Sequence, residues 1–213
     1  MTRAPLDLSL YLVTDTDQCG ERGLVCTVRD AIAGGVTTVQ LRDPDASDDE
    51  LVALGLLVRQ VLDGTGVPLI VNDRVHLVDA IGADGVHVGQ DDIPVEEARS
   101  LLGPSAYVGL SVHTLAQLDL ARQHTDAIDY IGVGPVWATT SKANHAATIG
   151  IDGLRDIVRA SPWPCVAIGG ITADRASRLR HTGASGVAVI SAICAQADAG
   201  AAAQGLVHAW QQP

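Results

Sequence analysis

Three groups of residues in this sequence suit chemistry on an anionic substrate. Asn72-Asp73-Arg74 and Gln90-Asp91-Asp92 place carboxylates at two points of the chain. One or two carboxylates with retained waters are the usual way to hold Mg2+ beside a phosphorylated molecule. The same aspartates also read as helix N-caps, because Asp73 precedes a helical stretch and Asp92 stands just before Pro94 and an acidic turn. The single lysine, Lys142, lies in GPVWATTSKANHAATIG, whose hydroxyl and ammonium donors could fold over a phosphate or diphosphate. Gly169-Gly170-Ile171-Thr172 and Ile190-Ser191 offer backbone N–H groups that an anion can approach closely. His87 and His113 each stand in a β-rich run and read more readily as hydrogen-bonded core residues than as an acid or base.

Such groups need elements that bring them to one place. β-rich runs at residues 8–14, 37–42, 68–72, 85–89, 107–112, 130–134, 164–169 and 186–190 alternate with amphipathic stretches such as 48–62, 95–102, 114–123 and 174–181. Eight βα units in 213 residues fit an α/β fold made of one small (β/α)8 TIM barrel spanning 1–213. AGGVTTVQLR, IGADGVHVGQ, DAIDYIGVGP and TGASGVAVIS share one form and recur every 47, 45 and 56 residues, which is about two units per step. A doubly wound open sheet is the competing architecture, but the first junction, Thr14-Asp15-Thr16-Asp17-Gln18, lacks the Gly-x-Gly-x-x-Gly turn.

Strand parity then sends Gln40 and Arg42, His87 and Gly89, and Gly109, Ser111 and His113 into the barrel. In the last three strands it sends in Gly132 and Gly134, Ala167 and Gly169, and Ala188 and Ile190. The expected mouth is polar on one side and lined by small residues on the other, with a site at the C-terminal strand ends. Residues 135–149 exceed an ordinary βα connection and read as a lid-like loop.

The formal charge is −11, from 14 basic and 25 acidic residues, with no basic block, so nucleic acid and anionic membranes are excluded as partners. No uncharged stretch reaches the ~20 apolar residues of a spanning helix, and no leader is legible, which makes the cytoplasm the expected location. Cys19, Cys26, Cys165 and Cys194 have no metal or redox spacing and read as free thiols. The oligomeric state is left open, a homo-oligomer included.

The motifs YLVTD (11–15), QLRD (40–43), VNDR (71–74), GADGVHVGQDD (82–92), SVHT (111–114), GVGPVW (132–137), AIGGI (167–171) and VISAI (189–193) together resemble the thiamine-phosphate synthase family from end to end. The resemblance implies a Mg2+-dependent transferase that joins a hydroxymethylpyrimidine diphosphate to a thiazole phosphate, or its carboxylated precursor, and releases diphosphate. It implies that Asp73 and Asp92, 19 residues apart as in the family, bind Mg2+. Gln40, Arg42, Asn72, Ser111 and Lys142 would hold the pyrimidine diphosphate, with Arg42, Ser111 and Lys142 as the catalytic set. Thr139, Ser141, Gly170, Ile190 and Ser191 would hold the thiazole phosphate.

Pro44 stands where the family usually has Lys, Ser141 where it usually has Thr, and Ala138 where it often has Pro. Arg74 is the nearby cation that could replace the missing ammonium. Two alternatives are a sister group of thiazole tautomerases, which would use His113 of the SVH motif but tends to lose the carboxylate motifs that this chain keeps at Asn72, Asp73, Gln90 and Asp92, and a silent barrel that binds thiamine phosphates or phosphosugars.

Overall fold

A computed structural model describes residues 5–139, 141 and 147–211. The strands β1 (Leu10–Val13), β2 (Thr38–Leu41), β3 (Leu69–Asn72), β4 (Gly85–Val88), β5 (Tyr107–Val112), β6 (Tyr130–Val133), β7 (Cys165–Ile168) and β8 (Gly186–Val189) form a closed parallel barrel in sequence order. β1 pairs with both β2 and β8. Each expected strand exists, trimmed by up to three residues at its ends. Almost every strand position is buried, as parallel strands covered on both faces must be.

Among the described residues ten helices surround the barrel: α1 (Thr16–Cys19), α2 (Leu24–Ala33), α3 (Asp48–Leu62), α4 (Val78–Ile81), α5 (Val95–Leu102), α6 (Leu115–Ala121), α7 (Gly150–Ala160), α8 (Ala173–Ala176), α9 (Ser191–Cys194) and α10 (Ala199–Gln211). The stretches expected as helices at 114–123 and 174–181 split into α6 and α8, each continued by a 3-10 turn. α3 shows how the sequence sets an element. The Ser47 hydroxyl accepts from the Glu50 N–H while Glu50 accepts from the Ser47 N–H, a capping box that fixes its start. Leu51, Gly55, Val58 and Leu62 then form one buried stripe, and Gly55 leaves room for Ile81 of α4.

The sequence repeat has a structural cause. Ahead of β2, β4 and β6, the side chain of the preceding residue accepts a hydrogen bond from an N–H at the start of the preceding odd strand. Thr37 accepts from Leu10 at 3.1 Å, Asp84 from Leu69 at 2.8 Å and Asp129 from Val108 at 2.7 Å. Those side chains lock the register at the bottom of the barrel and leave the C-terminal ends free for loops. Arg59 and Arg99 reinforce Asp84 and Asp129 from the helices.

Parity is as expected in β2, β4, β5, β6 and β8; in β7 it is reversed within the strand, while Gly169 just past its end lines the cavity as expected. Val166 and Ile168 face the cavity, while Ala167 lies in register with Val133 and Val187 on the helix side. The run Cys165–Ile168 is apolar throughout, so alternation carries no information there. All four cysteines are free thiols, with Cys19, Cys165 and Cys194 buried and Cys26 exposed. Among the described residues no helix is long and apolar enough to cross a membrane.

Candidate active site

A cavity of about 440 Å³ opens at the C-terminal end of the barrel. Gln40, Asp92, Ser111, Thr139, Ser141, Gly170, Ile190 and Ser191 all line it, as do His87 and His113. Arg42, Asn72 and Asp73 do not line it and stand at the ends of β2 and β3 that border it. Lys142 lies outside the described residues, as does most of the segment between Thr139 and Ala147.

Neither aspartate caps a helix. Asp73 adopts a left-handed backbone, φ 60°, which suits Asp and Asn better than most side chains. Its N–H donates to the His87 carbonyl at 2.9 Å and its carboxylate accepts from Asn72 Nδ2. Asp92 accepts from the Gly89 N–H at 2.6 Å, folding the turn that leaves β4, while α5 starts three residues later with no side-chain cap. A Cβ on Gly89 would lie 2.9 Å from that carboxylate, so any larger residue there would displace the Asp92 side chain. Two exposed-rim carboxylates on adjacent strand ends, with no group of three or more His, Cys, Asp or Glu among the described residues, fit a cation that keeps waters and shares substrate oxygens. Carboxylate oxygens are donors that Mg2+ accepts.

Arg42 is held by its backbone: its N–H donates to Thr14 Oγ1 at 2.9 Å, and that hydroxyl donates to the Arg42 carbonyl at 3.2 Å. Arg74 is engaged elsewhere. Its guanidinium donates to the Ala46 carbonyl at 2.6 Å and pairs with Asp48 at 3.1 Å, tying down the loop after β2. It is therefore committed to structure beside Pro44 and not directed to a ligand.

Gly169 and Gly170 have positive φ, 99° and 63°. A Cβ on Gly169 would meet the Pro135 Cα at 2.5 Å, and one on Gly170 the Ala138 carbonyl oxygen at 2.6 Å. The pair is thus glycine because the start of the long β6 loop packs on it. Val136 and Trp137 donate to the Ile168 and Gly169 carbonyls, and the far end returns through Ile149 to Pro135. Arg175 lies over the Trp137 ring at 5.2 Å and donates to the Gly170 carbonyl.

The floor of the cavity holds polar residues that sequence reasoning missed. Tyr11 and Tyr130 project inward from β1 and β6, and their hydroxyls meet at 2.7 Å. Burial pushes both phenols above the usual tyrosine range. Their inward parity was legible, but a tyrosine in a β-rich run looks like core. His113 Nδ1 bonds the Gly134 carbonyl, which can only accept, so Nδ1 carries a proton and Nε2 is the ring nitrogen left for another partner.

The family model described as "Thiamine monophosphate synthase" matches residues 10–193. The chain belongs to this family. It is 48% identical over 201 residues to a thiamine-phosphate synthase of Psychrobacter sp. (strain PRwf-1), covering 94% of each chain. It is 46% identical over 202 residues to a thiamine-phosphate synthase of Azorhizobium caulinodans, covering 95% of this chain and 94% of that one. Among solved structures it resembles a thiamine phosphate pyrophosphorylase from Pyrococcus furiosus, with a TM-score of 0.86 and 35% identity over 97% of this chain and 96% of that chain. Family and barrel agree with the expectation drawn from the motifs.

Proposed function

We propose that the protein is a thiamine-phosphate synthase, joining a hydroxymethylpyrimidine diphosphate to a thiazole phosphate or its carboxylated precursor. The observation that carries this reading is the cavity at the barrel mouth, lined by Gln40, Asp92, Ser111, Thr139, Ser141, Gly170, Ile190 and Ser191, in a chain similar to such synthases over nearly its full length. Asp73 and Asp92 would hold Mg2+. When bound, that ion supplies positive charge to the departing diphosphate.

The remaining work falls to this chain. Arg42 and Lys142 neutralise diphosphate oxygens, Ser111 donates to the same substrate, and Asn72 and Gln40 orient the pyrimidine. Thr139, Ser141 and the backbone at Gly170, Ile190 and Ser191 receive the thiazole phosphate. Once diphosphate leaves, the pyrimidine methylene carries a delocalised cation that the thiazole nitrogen attacks. Such a reaction needs electrostatic stabilisation and proximity and no protein nucleophile. The protein works in the cytoplasm on small phosphorylated molecules, without nucleic acid or membrane.

The ring of His113, held through Nδ1 by the Gly134 carbonyl at the cavity wall, favours a second reading, isomerisation of the thiazole with His113 as the general base. Substitution separates the two. Synthase turnover lost in Asp92→Ala and kept in His113→Ala supports the transferase; the reverse pattern supports the isomerase.

A further inference from the structure

Five side chains from five strands form one hydrogen-bonded file across the barrel. Gln40 Nε2 meets Tyr11 Oη at 2.9 Å, Tyr11 meets Tyr130 at 2.7 Å, Tyr130 Oη meets His87 Nδ1 at 3.1 Å, and His87 Nε2 meets Ser111 Oγ at 3.0 Å. The two tyrosines are at most 1% exposed, Gln40 3% and His87 7%. Each end of the file reaches the cavity, through Gln40 and through Ser111.

The file has a direction. Gln40 Nε2 can only donate, so Tyr11 accepts there, and the order in which Tyr11's own proton also finds a partner in the file sends that proton to Tyr130. Tyr130 in turn gives its proton to His87 Nδ1. A neutral His87 with Nδ1 accepting must carry its proton on Nε2, where it donates to Ser111 Oγ. Ser111 thus receives a hydrogen bond from inside the barrel, and its own proton is left for an acceptor in the cavity.

We propose that Tyr11, Tyr130 and His87 are positioning residues that fix this proton order and so make Ser111 a donor to an oxyanion of the substrate's diphosphate. The proposal rests on the synthase reading of the cavity. Packing alone does not account for the file, because phenylalanine would fill the same volume without hydroxyls. Room for it is built in: a Cβ on Gly109 would lie 2.5 Å from both His87 Nδ1 and Tyr130 Oη. Burial keeps both phenols protonated, so each link always has one proton to pass. Negative charge grows on the diphosphate as it leaves, so the Ser111 bond strengthens towards the transition state and its loss should appear in kcat.

Two measurements on the full chain test this. In 15N-histidine NMR of the free protein at neutral pH, with the resonance assigned by its loss in His87→Gln, His87 is expected neutral with the proton on Nε2. A proton on Nδ1, or on both nitrogens, overturns the proposal whatever the activity. In steady-state kinetics, Tyr130→Phe is expected to lower kcat for the pyrimidine diphosphate at least about tenfold, the scale of one hydrogen bond to a charged group. The KM for the thiazole phosphate should stay unchanged. If Tyr130→Phe does not fold, Tyr11→Phe, one link further from Ser111, replaces it with the same expectation. Wild-type turnover with an unaffected variant, or with both substrates weakened alike, overturns the proposal alone. A wild-type protein that makes no thiamine phosphate overturns the synthase reading and the Ser111 role with it.

Discussion

Replacing Gly109 with alanine tests how tightly the barrel floor is built. The added methyl would sit 2.3 Å from Tyr130 Cζ and 2.5 Å from Tyr130 Oη and His87 Nδ1. Comfortable contact is about 3.5–4.0 Å, so the ring must retreat by roughly 1 Å. The neighbours cannot yield easily, because Tyr130 is fully buried and bonded to Tyr11. Overpacking of this kind costs about 1–3 kcal/mol. Losing the Tyr130–His87 bond leaves a buried polar atom unmatched at a further ~1–3 kcal/mol. The combined ~2–6 kcal/mol is a large part of a domain's net ~5–15 kcal/mol.

At ~2–4 °C per kcal/mol for a chain of this size, Gly109→Ala should lower the Tm by roughly 5–20 °C in a circular-dichroism melt. Gly205→Ala is the control, since Gly205 lies in α10 with no atom within 4 Å of a built Cβ. Helix propensity should raise its Tm by a few degrees, for ~1 kcal/mol. A Gly109→Ala melt within ~2 °C of wild type would refute the packing argument.

Gly170→Ala, which strains a positive φ and presses on the Ala138 carbonyl, should raise the KM for the thiazole phosphate more than that for the pyrimidine substrate; equal effects would contradict the placement. Pro44→Lys should lower the KM for the pyrimidine diphosphate by roughly two- to fivefold, because Arg74 is already engaged with Ala46 and Asp48, and an unchanged KM would show that no cation is missing. In an alkaline absorbance titration, two of the three tyrosines should stay silent until the protein unfolds. The sign follows from the raised native pKa values. Above about pH 10 the unfolded chain releases phenol protons that the native state keeps, so stability falls as pH rises. Two phenols ionising reversibly in the native state near pH 10 would contradict their burial.

The barrel was legible because eight β-rich runs alternate with helical stretches. Gln40, His87, Ser111 and His113 were placed correctly because a polar side chain flanked by apolar neighbours in a parallel strand points inward. β7 was misread because Cys165, Val166, Ala167 and Ile168 offer no contrast between faces. From the residues alone helix capping was the favoured role of Asp73 and Asp92, and backbone geometry overturns it: a left-handed residue at one, a carboxylate folded onto the Gly89 N–H at the other. Arg74 looked available as a substitute cation because its partners, the Ala46 carbonyl and Asp48, lie 28 and 26 residues away in sequence. The glycine pair at 169–170 read as anion-binding, whereas the structure adds a packing requirement from Pro135 and Ala138.

The most direct test of the central claim is product formation by the purified protein with hydroxymethylpyrimidine diphosphate, thiazole phosphate and Mg2+. Thiamine phosphate and diphosphate should appear in equal amounts, with none when either substrate is omitted or EDTA is added. Diphosphate released without thiamine phosphate, or no product at all, would contradict the account.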